Sequence, residues 1–214
     1  NNPVLFENNI QILPPPALNI PFFPSSGVVL QYCRNADINN NTIVGPGRNF
    51  LNTFGLRMDD VTSTNTAGTP TFLGRTLSCN NISAFDRGIG LFGNNLHYTL
   101  IANTFSNLNN GVVFHANGQA VQARIGQQGH QIGPMRYPRD NRWLTTPANS
   151  ILQFDIASEL TNATIAGQSR FIVRSSATSN PYSAFSSILQ PSANLVPVQV
   201  PPLPLFIGNG PIAC

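Results

Sequence analysis

The sequence predicts an all-β solenoid, a fold in which successive turns of the chain stack on one another. The first observation is a glycine-led apolar phrase that begins at Gly55, Gly90 and Gly111, with a step of 21 residues between the last two. The second is an Asn-x-apolar-Ser phrase, which recurs with a step of 23 residues from Ile82 to Phe105. Steps of roughly twenty residues, with short strands between Asn and Gly, are typical of stacked coils.

The composition is that of a folded protein with a weakly charged surface. Charged residues make up 9% and hydrophobic residues 41% of the 214 residues, whereas an average domain is about 25% charged. All 11 basic residues are arginines, and only Arg136, Arg139 and Arg142 lie close together. Because nucleic-acid binding requires a dense basic patch, the sequence predicts no nucleic-acid partner. No apolar run approaches the roughly 18 residues of a membrane helix, so no membrane insertion is expected.

Residues 1–27 are predicted to form an extended, proline-rich arm. The prolines at 14–16, 21 and 24 exclude a regular helix or a central strand. The apolar side chains between them need a cover, which is either the end of the coil stack or a neighbouring molecule. A similar apolar tail is expected at the C-terminus. The predicted assembly residues of the two arms are Ile12, Leu13, Phe22, Phe23, Leu203, Leu205 and Phe206.

Residues 28–150 are predicted to form the parallel coils and their cap. The segment 28–32 has the β-branched and aromatic content of a strand, and the polar segment 62–70 is placed in a loop. Asn and Gly tolerate the left-handed backbone that tight corners require. The region 127–150 breaks the repeat and is interpreted as the last coil or cap, closed by Trp143. The predicted corner residues are Asn41, Gly55, Asn81, Gly90, Asn103 and Gly111.

Residues 151–214 are predicted to pack on the same domain as a less regular segment that contains strands and ends in a proline-rich tail. Strand-like pieces lie at 151–156 and 170–174, between turns rich in Ser, Thr and Asn.

The three cysteines are an odd number, and a disulfide between two of them is plausible in an oxidising compartment. None belongs to a Cys-x-x-Cys pair, which excludes the common zinc and redox motifs. Cys214 is the last residue, and a disulfide to Cys33 or Cys79 would anchor the tail; three reduced thiols are the alternative. The chain starts at Asn1 without Met, which indicates a processed product or a fragment. We therefore expect a secreted, extracellular protein.

The phrases Asn-Asn-x-Ile, Gly-Ile-Gly-Leu-Phe-Gly-Asn and Gly-Val-Val-Phe resemble the corners of right-handed parallel β-helix proteins of the pectate-lyase-like superfold. The coils followed by Gly-Gln-Gln-Gly and Asp-Asn-Arg-Trp also resemble large secreted surface proteins of the type IX secretion route. This resemblance covers about residues 28–150 and implies a right-handed parallel β-helix in a cell-surface adhesin or fibre. The chain departs from the type IX group in lacking a recognisable C-terminal sorting domain.

The β-helix superfold also hosts polysaccharide lyases and glycoside hydrolases, whose chemistry needs paired acids. Asp59 and Asp60 are the candidate acids, with His115 and Arg124 as further catalytic candidates. Adjacent residues of a strand point to opposite faces, so the two acids act together only at a bend. The alternative is a structural pair bonded to Arg57. The histidines lack the spacing of metal ligands and the eight acids are scattered, so no metal site and no cofactor is predicted.

These observations favour a non-catalytic, extracellular structural or adhesin-like surface protein. It is expected to assemble into a fibre or a larger surface structure through its ends and apolar arms. Its expected partners are copies of itself, other surface proteins or glycans. The alternatives are the polysaccharide-degrading enzyme and a glycan-binding or tail-fibre module, in which Tyr98, Phe114 or Tyr137 would stack on sugar.

Overall fold

The computed structural model describes residues 3–14, 25–33, 36–59, 76–96, 98–115, 123–125, 127–128, 130–132, 135–137, 141–144, 154–158, 169–173, 186–188 and 198–199. Every regular element in these ranges is a strand, which confirms the all-β prediction. The strands are β1 (Val4–Phe6), β2 (Asn9–Gln11), β3 (Ser26–Gln31), β4 (Asp37–Asn39), β5 (Thr42–Val44), β6 (Phe54–Asp59), β7 (Thr76–Ser78), β8 (Asn81–Ser83), β9 (Arg87–Phe92), β10 (Thr99–Ile101), β11 (Thr104–Ser106), β12 (Asn110–Phe114), β13 (Gln127–Gln128), β14 (His130–Ile132), β15 (Met135–Tyr137), β16 (Arg142–Leu144), β17 (Phe154–Ser158), β18 (Arg170–Val173), β19 (Ser186–Ile188) and β20 (Val198–Gln199).

Three parallel sheets dominate the fold, and each turn of the chain gives one strand to each of them. The first sheet has the order β1-β4-β7-β10, the second β2-β5-β8-β11-β16 and the third β3-β6-β9-β12-β17-β19. Three consecutive strands therefore form one coil, and the coil β4–β6 stacks on the first coil, β1–β3. The parallel sheets confirm that part of the prediction and are compatible with a parallel β-helix. A parallel partner arrives one turn later, so no crossover helix is needed.

The short strands of the first two sheets each have an apolar central residue, which stands between polar residues in β2, β4, β7, β8 and β11. In the first two sheets the central residue points into the column while its neighbours point outward. The buried central residues are at most 2% exposed, and they are Ile38, Leu77 and Leu100 in the first sheet and Ile43, Ile82 and Phe105 in the second.

The corner between the first two sheets has a constant two-residue form. Its first residue has a left-handed backbone, with φ of 54° at Glu7, 60° at Asn40, 58° at Cys79 and 52° at Ala102. An asparagine follows in each coil, and its side chain bonds to the adjacent coils. A left-handed residue reverses the chain within one step, so each coil turns sharply from one sheet to the next.

The third sheet closes the core with longer strands. β6 and β9 place Leu56, Met58, Ile89 and Leu91 inside the column, each at most 1% exposed. These side chains pack with the central residues of the two shorter sheets in one continuous hydrophobic core. The interior is therefore a single apolar column, enclosed by three walls.

Glycines in the third sheet allow the walls to approach closely. A methyl group on Gly55 would lie 2.3 Å from Ile82 Cγ2 and 2.8 Å from the carbonyl oxygen of the neighbouring coil at Gly88. Gly55, Gly90 and Gly111, predicted as corner residues, lie within β6, β9 and β12. At Gly55 the lack of a side chain is required by this close approach.

The predicted N-terminal arm contributes to the column. Residues 4–6 and 9–11 form β1 and β2, which pair with β4 and β5 of the next coil, and β3 begins at Ser26. The strands form here because Leu5 and Ile10 alternate with outward residues and pack against the core. Residues 1–2 and 15–24 of the arm lie outside the described residues.

Strands beyond residue 150 extend the same sheets. β17 pairs with β12, and β19 pairs with β17, both in parallel. β13, β18 and β20 form a further parallel sheet next to the first, since Gln128 Oε1 accepts a hydrogen bond from the Leu100 N–H at 2.7 Å. The segment 151–214, predicted as less regular, therefore supplies strands to the stack, while residues 200–214 lie outside the described part of the chain.

A hairpin interrupts the coil that contains β13 and β16. β14 and β15 pair with each other in antiparallel fashion. After them, Trp143 in β16 stacks on Phe105 of the previous coil, with ring centroids 4.7 Å apart. The region 127–150, interpreted as a last coil or cap, is thus followed by further parallel strands.

Candidate interaction surface

A ladder of asparagine side chains runs along the first corner. Asn41, Asn80, Asn103 and Asn141 are each at most 7% exposed. Asn80 Oδ1 accepts hydrogen bonds from Asn41 N–H and Nδ2 at 3.1 and 2.9 Å, and Asn103 Oδ1 accepts the same pair from Asn80 at 3.0 and 2.9 Å. The ladder joins five coils, because Asn8 bonds to Asn41 in the same way.

Four of the five ladder asparagines, all except Asn8, also bond to the backbone of the preceding coil. Nδ2 of Asn80, Asn103 and Asn141 donates to a carbonyl oxygen at 2.8, 2.6 and 2.8 Å, respectively. The side chains thus satisfy backbone groups that the corner removes from the sheets. Buried polar groups are tolerated only when they are bonded in this way.

The prediction of corner residues identified part of this ladder. Asn41 and Asn103 occupy ladder positions, whereas Asn81 is an exposed residue of β8 and its neighbour Asn80 holds the buried position. Asn8 and Asn141 were not singled out from the sequence. Their signal is an asparagine two residues before the apolar centre of a short strand, as in Asn8 to Ile10 and Asn141 to Trp143.

The first coil is the outermost of the described coils. β1, β2 and β3 are the terminal strands of the three sheets, and no strand of the described residues pairs with their outer edges. Of the inward residues of the first coil, Leu5, Ile10 and Val28 are partly buried and pack against the core, whereas Leu30 is 4% exposed and belongs to the core. Their partners in the next coil, such as Ile38, are at most 2% exposed. The first coil thus covers the second, and its own outer side carries none of the described coils.

The first coil also carries exposed apolar side chains on its flanks. Val4, Phe6, Val29 and Tyr32 are each more than half exposed. An unpaired strand edge flanked by apolar groups is a ready template for association. We define the first-coil surface as the outer edges of β1, β2 and β3 with these four side chains.

The predicted assembly residues are only partly described. Leu13, which follows β2, is 71% exposed, and Ile12 packs against the core. The remaining predicted assembly residues lie outside the described part of the chain: Phe22, Phe23, Leu203, Leu205 and Phe206.

A second cluster lies on the outer face of the third sheet. Arg57 lies over the ring of Phe92, with its guanidinium carbon 4.4 Å from the centroid. On the other side, Phe92 stacks on His115 at 4.3 Å with an interplanar angle of 7°. Phe54 meets both rings edge-on, at 5.8 and 5.6 Å. The cluster therefore links three successive coils by stacking along the column.

Asp59 lies beside this cluster and pairs with Arg57. Asp59 Oδ2 accepts from Arg57 Nε at 3.1 Å and lies 3.0 Å from Nη2. The other oxygen, Oδ1, is buried and has no hydrogen-bond partner among the described residues. Asp60 lies outside the described residues, so the structure places only one of the two candidate acids.

The candidate catalytic residues do not form a compact group in the described part of the chain. Strand register places Phe92 between Asp59 and His115, since Asp59 pairs with Phe92 and the His115 N–H donates to the Leu91 carbonyl oxygen. Arg124 donates through Nε to Asn94 Oδ1 at 3.1 Å and forms a bridge beside β9. The arrangement provides ring stacking between coils and an ion pair within β6.

Two of the three aromatic residues considered for sugar stacking lie in the interior. Tyr98 and Phe114 are 1% and 0% exposed and belong to the hydrophobic core, so neither ring is available to a glycan. The Tyr98 hydroxyl accepts a hydrogen bond from the Ala36 N–H. Tyr137 lies in β15, whose side chains are not among those described.

The cysteines are in two different states. Cys79, at a left-handed corner position, is disulfide-bonded, while Cys33 is a free thiol. Cys214 lies outside the described residues, and the predicted disulfide to it stays a prediction.

Neither a metal-binding cluster nor a membrane-spanning helix occurs in the described ranges. They contain no group of three or more His, Cys, Asp or Glu residues that could hold a metal ion. They also contain no helix with the length and apolar character required to cross a bilayer.

Comparison of the chain with protein-family models, with curated proteins and with solved structures finds no match. The proposals below therefore rest on the residues and geometry of this chain.

Proposed function

We propose that this protein is a secreted, non-catalytic structural or adhesin-like component of an extracellular surface. In this proposal the column is a right-handed parallel β-helix that associates through its ends. The observation that carries the proposal is the first-coil surface, where three strand edges that no described strand pairs with adjoin four exposed apolar side chains.

The physical argument starts from the backbone groups at that end. A terminal strand presents a row of N–H and C=O groups that lack hydrogen-bond partners. A strand of another molecule supplies these partners when it adds to the sheet. Here three sheets end together at one coil. A matching partner therefore gains hydrogen bonds on three faces and covers the partly exposed Leu5, Ile10 and Val28.

The outer-face cluster supports a structural role rather than a catalytic one. The Asp59 carboxylate is paired with Arg57, and His115 stacks on Phe92. His115 thus links adjacent coils, whereas Asp59 holds Arg57 within β6, where the guanidinium lies over Phe92 of the next coil. A catalytic acid and base would need access to substrate, and Asp59 is 8% and His115 5% exposed.

The proposal is tested by the oligomeric state of a point variant. Phe6→Glu places a charge on the first-coil surface, where Phe6 is 56% exposed, and we expect it to abolish association of the wild-type protein. Leu51→Glu is the matched control, because Leu51 is similarly exposed, at 51%, but lies between β5 and β6 in the second coil. Analytical ultracentrifugation measures association, and circular dichroism checks that both variants are folded.

A point variant is preferable to deletion of residues 1–27. That deletion removes β1 and β2 together with their pairing to β4 and β5, and so exposes a new coil edge. A wild-type protein that stays monomeric at every concentration, or equal association of both variants, would refute the proposal.

A further inference from the structure

We propose that the loop 45–53 is a conformational clamp, which couples the second coil of the column (β4–β6) to the fourth (β10–β12). This loop, the clamp loop, joins β5 to β6, and its anchor is Asp86 at the corresponding corner of the third coil (β7–β9). The inference does not depend on the proposed association, because every residue that carries it lies in the second, third and fourth coils.

The clamp loop is longer than the same corner in the two coils that follow it. It has nine residues, 45–53, whereas the corner has three residues in the third coil, 84–86, and three in the fourth, 107–109. The longer loop lies against the next coil, because the Gly47 N–H donates a hydrogen bond to the Ala84 carbonyl oxygen at 2.8 Å. The additional residues therefore contact the stack instead of only connecting two strands.

Asp86 fixes the clamp loop to the third coil. Its Oδ2 accepts a hydrogen bond from the Asn52 N–H at 2.9 Å, and its own N–H donates to Thr53 Oγ1 at 3.0 Å. The Thr53 hydroxyl donates in turn to the Phe50 carbonyl oxygen at 2.8 Å. Hydrogen bonds to a carboxylate are about twice as strong as those between neutral groups, so this carboxylate, in a residue that is 6% exposed, is a strong anchor.

Asn109, in the fourth coil, completes the clamp. Its Nδ2 donates to the Arg48 carbonyl oxygen of the clamp loop at 2.8 Å and to Asp86 Oδ1 at 2.9 Å. An amide nitrogen has two hydrogens, so one is used on the second coil and the other on the third. One side chain of the fourth coil thus binds both preceding coils.

This contact adds to the usual pattern of stacked repeats. In a solenoid each repeat contacts only the repeats beside it, and opening that starts at one coil can stop before the next. Here the second coil is bonded directly to the fourth, across the third. Because the bond is lost when either of these coils opens, the clamp makes the three coils open as one unit.

Limited proteolysis with trypsin tests the clamp, because trypsin cleaves after arginine. The Arg48 carbonyl oxygen, which accepts the hydrogen bond from Asn109, belongs to the peptide bond that trypsin would cleave. A protease cleaves a folded protein in those states in which the segment has opened. The rate of cleavage after Arg48 therefore measures how often the clamp is open.

Asn109→Ala removes the amide that joins the coils, and Asn110→Ala is the matched control, since its side chain forms none of the clamp's hydrogen bonds. We expect Asn109→Ala to raise the rate of cleavage after Arg48 about tenfold, the effect of losing one hydrogen-bonded contact. Asn110→Ala should leave this rate unchanged. Equal rates in the two variants would overturn the inference, and so would an equal acceleration after Arg57 in β6, which would mean that the whole column opens.

Hydrogen exchange of the same variants tests the coupling between coils. In Asn109→Ala, a substitution in the fourth coil, we expect the Gly47 and Asn52 amides of the second coil to exchange about tenfold faster, together with those of β12. Faster exchange that is confined to the fourth coil would mean a local contact without coupling, and would overturn the inference.

A second variant acts from the third coil. Asp86→Asn keeps the size of the side chain, but its amide nitrogen cannot accept a hydrogen bond, so either Asn52 or Asn109 loses its acceptor. We expect the same accelerated cleavage after Arg48, and wild-type cleavage in this variant would contradict the role of Asp86 as anchor. Failure of these tests leaves association through the first coil untouched, because the clamp lies in other coils.

Discussion

At the scale of single residues, the fold depends on side chains that form hydrogen bonds with backbone groups at the corners. At every first corner the chain leaves one sheet and enters another, which separates backbone groups from their partners. Asn80 illustrates the solution, because its amide donates to the Ile38 carbonyl oxygen and to Asn103, and accepts from Asn41. The preceding left-handed residue, Cys79, aims the side chain along the column.

Replacement of a ladder residue should therefore cost far more than replacement of its neighbour. We predict that Asn80→Ala lowers the free energy of unfolding by about 2–4 kcal/mol, because it leaves several buried donors and acceptors unbonded. Asn81→Ala, at an exposed position of β8, should change it by less than about 0.5 kcal/mol. Urea denaturation followed by circular dichroism measures both, and equal effects would show that the ladder adds no net stability.

The sequence revealed the ladder only in part, for a physical reason. Ladder steps are 33, 39, 23 and 38 residues long, since the number of residues between successive strands differs from coil to coil. A search for a fixed period finds the 23-residue step between Asn80 and Asn103 and misses the others. The ladder residue is the asparagine that directly follows the left-handed residue, Cys79. Because Asn80 and Asn81 are adjacent and identical, the sequence does not show which of them has that position.

At the scale of elements, the strands are held by contacts between coils rather than within them. The described strands are mostly three to six residues long, too short for local stability, and each pairs with a strand one turn away. The outer-face cluster adds side-chain stacking to this pairing, because Arg57, Phe92 and His115 come from successive coils.

The stacking between β9 and the residue after β12 is measurable as a coupling energy. We predict that a double-mutant cycle of Phe92→Ala and His115→Ala gives a coupling of about 0.5–1.5 kcal/mol, the range for aromatic pairs in contact. A control cycle of Phe92→Ala with Leu144→Ala should be additive within about 0.5 kcal/mol, since Leu144 is exposed on the second sheet. Two additive cycles would mean that the stacked rings are adjacent without stabilising one another.

Strands of the repeat were predictable, and so were two strands beyond it, because the strand-like pieces at 151–156 and 170–174 overlap β17 and β18. The strand predicted at 28–32 corresponds to β3 (Ser26–Gln31), and the phrases at Gly90 and Gly111 lie in paired long strands. β1 and β2 were missed because a three-residue strand holds a single alternation, and the prolines that follow suggested an extended arm. The sequence analysis gave the pairing of Asp59 with Arg57 as an alternative to a catalytic role. The stacking of His115 on Phe92 depends on the strand register, which the sequence alone does not reveal.

At the scale of the whole molecule, the stability of each coil depends on the coils stacked directly beside it. In a solenoid each repeat contacts only the repeats beside it, and terminal repeats lack one neighbour. The second, third and fourth coils are covered on both sides, whereas among the described residues the first coil is covered on one. Cooperative opening should therefore begin at the end and proceed inward.

Hydrogen exchange of the monomer and of the assembly tests this gradient directly. We predict that backbone amides of β6, β9 and β12 exchange about 100-fold more slowly than those of β1 and β2 in the monomer, a difference of roughly 2.8 kcal/mol in opening free energy. Association that covers the first-coil surface should then slow exchange in β1, β2 and β3 and leave the central strands unchanged, because only the first coil gains a neighbour. Uniform protection along the column would instead mean that the molecule opens as one unit, and protection gained elsewhere would place the interface on another surface, such as the outer face around Arg57 and Phe92.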